Sequence, residues 1–117
     1  MASAHPTLTQ EQLDALHRKL EAERRRIVGV LQQASAPAPA AEDERDERIE
    51  FEETAQRTTE EVTQRQILER ERALLAEVER ALEKLHAGKY GFDEATGDPI
   101  PYGRLAAVPW ARHSAER

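Results

Sequence analysis

The sequence predicts a mainly α-helical protein in which a long antiparallel coiled-coil hairpin carries a small C-terminal module. The 117 residues are 34% charged and only 4% aromatic, which is too little apolar bulk for a large globular core. Two charged segments carry apolar residues at three- and four-residue steps, a spacing typical of paired helices. Both tyrosines, the single tryptophan and one of the two phenylalanines follow residue 88. We therefore expect one extended helical pair with a small core at its C-terminal end.

Residues 1–8 are predicted to be a flexible tail, and the first helix is predicted to begin near Thr9. Thr9 and Gln12 have capping-box spacing, in which each side chain satisfies a free backbone N–H group. The apolar seam of this helix is interrupted once, by Glu23. It otherwise consists of Leu13, Leu16, Leu20, Ile27, Val30 and Ala34.

Pro37 and Pro39 end the first helix, because proline lacks the backbone donor and disfavours the helical region for the preceding residue. The second helix is predicted to begin between residues 43 and 58 and to end before Gly88, which tolerates a left-handed C-cap. Its apolar seam is interrupted once, by Glu71. The seam consists of Leu68, Leu75, Val78, Leu82 and Leu85.

Antiparallel pairing of the two seams places Leu13 near Leu85, so the hairpin spans residues 9–87 and residues 35–63 form its tip. At about 1.5 Å per residue, arms of about 25 residues would carry the tip roughly 35 to 40 Å from the module. The basic residues of the first arm, including Arg26, are interpreted as an outer face that pairs with the acidic second arm. The glutamate-rich tip is either a solvated loop or an acidic plug for a basic or Mg²⁺-containing cavity.

The C-terminal module is predicted to cover residues 88–117. Residues 90–101 suggest two short extended pieces around a turn at residues 96–99. Pro109 is suited to the first turn of a short last helix over residues 110–117. Six residues form the candidate core of the module: Tyr90, Phe92, Ile100, Tyr102, Leu105 and Trp110.

Composition and motifs exclude several function classes. A net charge of −6 opposes binding to a nucleic-acid backbone, so we expect no direct sequence-specific DNA binding. Disulfides and thiolate metal sites are impossible without cysteine, and there is no nucleophile motif or phosphate loop, so we predict no catalysis, cofactor or metal. No signal-peptide pattern or apolar run of about 20 residues occurs, which predicts a cytoplasmic protein without membrane contact.

Several stretches of the chain resemble the DksA/TraR family of bacterial transcription regulators. They are residues 8–20, 50–55, 82–92 and 97–105, and the most specific stretch reads KYGFDEATGDPI from Lys89. The resemblance implies a coiled-coil hairpin on a zinc-finger-like module. It also implies binding to bacterial RNA polymerase through the secondary channel, with an acidic tip near the active-site Mg²⁺.

The resemblance assigns roles to five residues. Glu50, Glu53 and Ala55 stand in register with the family's tip pattern, Asp-x-x-Asp-x-Ala, which makes the two glutamates the implied tip effectors. Glutamate keeps the charge of aspartate but adds a methylene, so the reach of the tip differs. Arg70 and Arg104 match basic positions through which family members contact polymerase.

The chain departs from the family at the zinc site. Four cysteines usually hold the metal, and the matching residues here are Asp93, Thr96, Ser114 and Arg117. This set cannot bind structural zinc in the family's manner, because thiolates supply that affinity. We therefore expect a degenerate, zinc-free finger held together by packing of its apolar core.

A second departure concerns guanosine tetraphosphate, to which many family members respond through basic residues. The matching positions are Glu77 and Val108, so this part of the nucleotide response is not expected. The expected function is modulation of transcription initiation by a monomer that binds polymerase. Two alternatives remain: a structural adaptor that docks on another protein, and a transcript-cleavage stimulator whose tip acids hold a second Mg²⁺.

Overall fold

The computed structural model describes residues 5–35 and 47–115, with the backbone alone for residues 47–56. Within these ranges the chain forms three helices: α1 (Gln10–Ser35), α2 (Glu47–His86) and α3 (Tyr102–Ala107). The helices α1 and α2 pack along each other as an antiparallel hairpin, and α3 packs against α1. The mainly α-helical hairpin with a small C-terminal module and a short C-terminal helix is confirmed.

The N-terminus of α1 has the predicted capping box. The Gln12 N–H donates to the Thr9 hydroxyl oxygen at 3.1 Å, and the Thr9 N–H donates to the Gln12 side-chain oxygen at 3.0 Å. The two bonds satisfy backbone donors that have no partner within the helix. Helix α1 therefore begins at Gln10 because the side chains of Thr9 and Gln12 close its first turn.

The predicted seam of α1 forms the centre of the hairpin core. Leu13, Leu16, Leu20 and Ile27 are buried, whereas Ala34, near the end of the helix, is exposed. Burying each large aliphatic side chain contributes about 1.5 to 3 kcal/mol of hydrophobic free energy. The seam thus anchors α1 most strongly in its first five turns.

The buried face of α2 differs from the predicted seam. Val78 is fully buried as expected, but Ala81 is buried beside it and Leu74 packs against the core, while Leu68 is only half-buried. The added residues directly neighbour predicted seam positions, because a helical face repeats every 3.6 residues and is wider than a single row. The half-buried contacts from α2 are Leu74, Leu75, Leu82 and Leu85.

Helix α2 begins inside the predicted window of residues 43–58, and this makes the second arm longer than the arms of about 25 residues that the pairing of the seams suggested. Helix α2 has 40 residues and α1 has 26, which correspond to about 60 Å and 39 Å of helix. Arg26 binds Glu71 across the hairpin at 2.9 Å, and in that register Ser35 lies level with about residue 62 of α2. The first part of α2 therefore extends beyond the end of α1.

The C-terminus of α2 is a Schellman motif around Gly88, which has a φ of 73°. The Lys89 N–H donates to the Lys84 carbonyl at 2.8 Å, and the Gly88 N–H donates to the Leu85 carbonyl at 3.2 Å. A left-handed backbone is favourable for glycine, which has no Cβ to clash. The predicted C-cap is confirmed.

The module begins with a short antiparallel bridge between Phe92 and Pro99. The hydrogen bonds flank this pair: the Asp93 N–H donates to the Asp98 carbonyl at 2.8 Å, and the Ile100 N–H donates to the Gly91 carbonyl at 2.7 Å. Pro99 is tolerated because its position in the pair requires no donor. The two extended pieces are confirmed, but the turn covers residues 94–96 rather than 96–99.

The position predicted for the last helix is wrong. Helix α3 follows Pro101 and ends before Pro109, and residues 110–115 are not helical. Val108 has φ −135° and ψ 83°, because a residue before proline is displaced from the helical region. Beyond it, the Arg112 carbonyl and the Ser114 N–H are bound by Glu94 and Asp93, and are therefore unavailable to a helix.

Of the expected flexible tail, residues 1–4 lie outside the described residues, while residues 5–8 pack on the module. His5 and Leu8 are buried, and the His5 Nε2 lies 3.0 Å from the Ile100 carbonyl. The His5 ring stacks at a tilt on Phe92, and a Cβ on Gly91 would lie only 2.8 Å from the imidazole. Gly91 therefore makes room for the N-terminal segment.

The hairpin and the module share one core. Buried side chains run without a break from the α1 seam through Ala81 to Tyr90, Ile100 and Leu105. Of the predicted module core, Tyr102 and Trp110 pack against this cluster and Phe92 is half-buried. In the described part of the chain, no helix is both long enough and apolar enough to cross a membrane.

Candidate functional site

The predicted tip residues lie near the start of α2. Glu50, Glu53 and Ala55 fall within the helix that begins at Glu47, but their side chains lie outside the described residues. About 54 Å of α2 separates position 50 from the module end of the helix. The backbone thus carries these positions well beyond the end of α1.

The two predicted docking residues lie in different environments. Arg70 is exposed on α2, while Arg104 is half-buried on α3. The Arg104 Nε is buried and has no hydrogen-bond partner among the described residues. Arg70 is therefore available to a partner as it stands, whereas Arg104 is partly enclosed by its own module.

A single carboxylate occupies the centre of the predicted degenerate zinc positions. Asp93 is 4% exposed, and its Oδ1 accepts hydrogen bonds from the N–H groups of Ala95 at 2.8 Å and Thr96 at 3.3 Å. Its Oδ2 accepts the Ser114 N–H at 3.0 Å, and the His113 Nδ1 lies 3.1 Å from Oδ1. Asp93 therefore joins the turn of the module to its C-terminal segment, residues 109–115.

The hydrogen bonds keep Asp93 ionised. The Ser114 N–H makes the largest contribution, followed by His113, and together with the two turn N–H groups they hold the pKa of Asp93 well below its usual range. Burial alone would raise the pKa, so the donors outweigh desolvation. A fixed negative charge thus stands at this centre of the module.

Three of the four degenerate zinc positions are brought together in this way. Asp93 binds the backbones of Thr96 and Ser114, while the Thr96 hydroxyl accepts the Asp98 N–H at 3.2 Å. Arg117 lies outside the described residues. The module is consequently held by hydrogen bonds as well as by the packing that the sequence predicted. Among the described residues, no three acidic or histidine side chains are grouped to hold a metal ion.

An ionic network joins the C-terminal segment to the arm. The Arg112 guanidinium donates to both carboxylate oxygens of Glu77, with the Nε bond at 2.6 Å. Glu94 binds Arg80 at 2.7 Å and also Lys84. Burial, the largest single effect, would raise the pKa of Glu94, but the two cations together lower it. Glu77 is the first of the two positions considered for guanosine tetraphosphate. Its carboxylate is therefore already paired with Arg112 of the same chain.

Sequence reasoning missed Arg112 and Glu94 as parts of this site. Glu77, Arg80 and Lys84 lie three and four residues apart, which indicates one charged face of α2. The spacing identifies that face but not its partners, because the partners come from a segment that only the folded module brings near. Val108, the second predicted nucleotide position, is half-buried between α3 and Pro109.

The C-terminal segment is fixed by a further buried contact. The Tyr90 hydroxyl donates to the Pro109 carbonyl at 2.6 Å, and burial raises the pKa of Tyr90 above its usual range. A neutral hydroxyl is therefore always present to donate. Together with Asp93 and Arg112, Tyr90 fixes the segment that follows α3.

Comparison with known proteins finds some matches that cover half of the chain or less and others that cover most of it. No family model matches the chain. It is 50% identical over 58 residues to General stress protein 16O of Bacillus subtilis and 48% identical over 44 residues to an uncharacterized protein of Aquifex aeolicus. These matches cover 50% and 38% of this chain but only 36% and 30% of the two relatives.

Two further matches extend over most of the chain. The RNA polymerase-binding transcription factor DksA of Caulobacter vibrioides is 28% identical over 111 residues, covering 95% of this chain and 76% of that protein. The solved structure of transcription factor DksA2 from Pseudomonas aeruginosa superposes with a TM-score of 0.64 at 29% identity. That match covers 89% of this chain and 78% of the other.

Proposed function

Because the chain is DksA-like in sequence and in fold, we propose that it is a transcription regulator that binds bacterial RNA polymerase. The observation that carries this proposal is the match to a polymerase-binding factor over 95% of the chain, together with the fold match of TM-score 0.64. The protein acts by binding rather than by catalysis, as a cytoplasmic monomer. Direct sequence-specific DNA binding is not part of the proposed activity.

The proposed mode of binding uses the long arm. Helix α2 enters the secondary channel of the polymerase and carries Glu50 and Glu53 toward the active-site Mg²⁺. Oxygen ligands are those that Mg²⁺ prefers, and one or two carboxylates suffice because the ion retains several waters. Ala55 allows close approach of the backbone, and exposed Arg70 contacts the polymerase surface. Arg104 supports the same contact from α3.

The degenerate zinc site and the ionic network bear on regulation. Asp93 supplies the cross-link that a metal would otherwise supply, so the factor is proposed to work without zinc. Glu77 is bound by Arg112, and Val108 has no charge, so a response to guanosine tetraphosphate through these two positions is not expected. Adding the nucleotide to a transcription assay with this factor should leave its effect unchanged.

The test separates the tip from the docking surface. Binding to purified core polymerase is measured first, followed by hydroxyl-radical cleavage of the factor from iron placed at the active site. Cleavage near residues 50–55 is expected if the tip reaches the metal. Glu50→Ala with Glu53→Ala should abolish the effect on initiation while affinity remains, because the contacts of the arm are kept.

Arg70→Ala should instead lower affinity by about five- to thirtyfold, the range for one lost interface cation of about 1 to 2 kcal/mol. Arg72→Ala is the matched control, since Arg72 is also an exposed arginine of α2. Equal loss of affinity in the tip variant and in Arg70→Ala would refute separate roles for tip and body. Polymerase binding without cleavage near the tip would favour the adaptor, and RNA hydrolysis in stalled complexes would favour the cleavage stimulator.

A further inference from the structure

The polar interruptions of the two apolar seams are joined by one arginine. Arg26 donates to Glu23 from Nε at 2.9 Å and from a terminal nitrogen at 2.7 Å. It also donates to the two carboxylate oxygens of Glu71 at 3.2 and 2.9 Å. We call Glu23, Arg26 and Glu71 the Arg26 clasp.

The Arg26 clasp differs from the other described contact between charged residues of α1 and α2. Arg24 lies 3.7 Å from Glu79, and both side chains are about half exposed. In the clasp, the Glu23 and Glu71 side chains are only 25% and 18% exposed, and each binds the same planar guanidinium through two bonds. Such a fork fixes geometry, whereas a single long exposed pair contributes little.

The clasp lies where the apolar support of the arm ends. Ile27 and Val78 are the buried residues nearest the tip among those described, and beyond them Leu31 and Leu68 are only half-buried. Residues 57–67 are all exposed. Arg26 thus joins the helices at the transition from packed hairpin to projecting arm.

We propose that the Arg26 clasp is a positioning device that holds α2 against α1 at this transition and thereby sets where the tip is presented. The inference rests on the proposed function of the tip. About 30 Å of helix separates Glu71 from Glu50, so a rotation of about 10° at the clasp moves position 50 by about 5 Å. That displacement exceeds the distance of about 2 Å at which a carboxylate binds Mg²⁺.

Charge also favours one alignment of the arms. An apolar residue at positions 23 and 71 would pack equally well after the helices slide past each other. With two glutamates in the seam, a displaced alignment leaves a half-buried carboxylate without its arginine, which is unfavourable. The hydrogen bonds that Arg26 donates to Glu23 and Glu71 also raise the pKa of Arg26, so its charge is permanent.

The test uses a chain that has no cysteine, so spin labels attach only where cysteines are introduced. Gln33→Cys and Gln66→Cys place labels at exposed positions on α1 and α2. Arg26→Leu is expected to broaden the label-to-label distance distribution, with the splayed population rising about fivefold, the upper range for an exposed ion pair. Amides of residues 57–70 should exchange faster in the same variant.

Arg25→Leu is the matched control, because Arg25 is an exposed neighbour with the same charge. Arg26→Lys keeps the charge but loses the fork, so it should give an intermediate distribution. The triple inversion Glu23→Arg, Arg26→Glu and Glu71→Arg restores attraction and should restore the narrow distribution. An unchanged distribution in Arg26→Leu, or no recovery in the triple inversion, would overturn the proposal.

The polymerase assay then separates positioning from stability. Arg26→Leu should reduce the effect on initiation in proportion to the loss of the aligned population that the spin labels measure, while polymerase affinity stays within about twofold of the parent. Equal losses of affinity and effect would mean a structural role only, which overturns the proposal. If the parent has no effect on initiation, the proposed function fails, and the distance measurements still decide whether the clasp aligns the arms.

Discussion

At the scale of single residues, Asp93 shows how one carboxylate can organise a module whose sequence lacks the cysteines of a zinc site. Its oxygens bind two N–H groups of the turn and one of the C-terminal segment. The sequence predicted the loss of zinc but not its replacement. The spacing of Asp93, Ala95 and Thr96 is typical of an Asx turn, so the hydrogen bonds within the turn could have been predicted from the sequence. The long-range bond to Ser114 has no such signal.

The first prediction concerns the acid stability of the module. The pKa of Asp93 is lower in the folded state than the value of about 3.9 in unfolded chains. Ionised Asp93 therefore stabilises the fold above about pH 4, and this stabilisation is lost as the pH falls toward the folded-state pKa. Asp93→Asn should lower Tm at pH 7 and flatten the decline of Tm between about pH 5 and 2.

Thermal unfolding across this pH range measures the effect. Asp98→Asn is the control, since Asp98 lies in the same loop with an exposed side chain. The control should keep the acid dependence of the parent. If Asp93→Asn and the parent decline in parallel, hydrogen bonding to Asp93 does not link folding to protons.

At the scale of elements, local sequence explains where α1 begins and α2 ends, but not where the last helix lies. The capping box of Thr9 and Gln12 is made by hydrogen bonds between residues that are close in sequence. The C-cap at Gly88 is made in the same way. The last helix was misplaced because Pro109 suits the first turn of a helix, whereas the helix that forms has Pro101 as its N-cap and packs on α1. Burial of Leu105 decides between them.

The second prediction concerns the N-terminal cap of α1. Thr9→Ala removes the hydroxyl that accepts the Gln12 N–H, and should lower the free energy of unfolding by about 1 kcal/mol. Thr9→Ser keeps the acceptor and should remain within about 0.5 kcal/mol of the parent. Urea unfolding followed by circular dichroism gives both values. A loss in Thr9→Ser equal to that in Thr9→Ala would show that the methyl group, not the cap, matters.

At the scale of the whole molecule, one continuous core makes the hairpin and the module a single folding unit. Leu8 joins that core from the N-terminal segment, and the His5 Nε2 lies 3.0 Å from the Ile100 carbonyl. The ionic contacts of Glu77 and Glu94 add a charged boundary between arm and module. The base of the hairpin is thus rigidly supported, and only its far end depends on the Arg26 clasp.

The third prediction is that folding does not depend on a metal ion. The bonds of Asp93 already join three of the four positions that match zinc ligands, and the chain has no thiolate to bind the metal. A strong chelator, or added zinc, should leave Tm and the near-ultraviolet signal of Trp110 unchanged. A fall in Tm with chelator that zinc restores would contradict a zinc-free module.

By itself, the sequence determined the two arms, the cap at Thr9, the end of α2 at Gly88 and the absence of thiolate ligands, because each depends on neighbours within a few positions. It also indicated the resemblance to the DksA/TraR family, through residues 89–100 above all. Only the tertiary structure showed that His5 is buried, that Asp93 binds Ser114, and that Arg26 joins Glu23 to Glu71. Those contacts bring distant segments together, and the sequence contains both partners of each without specifying that they meet.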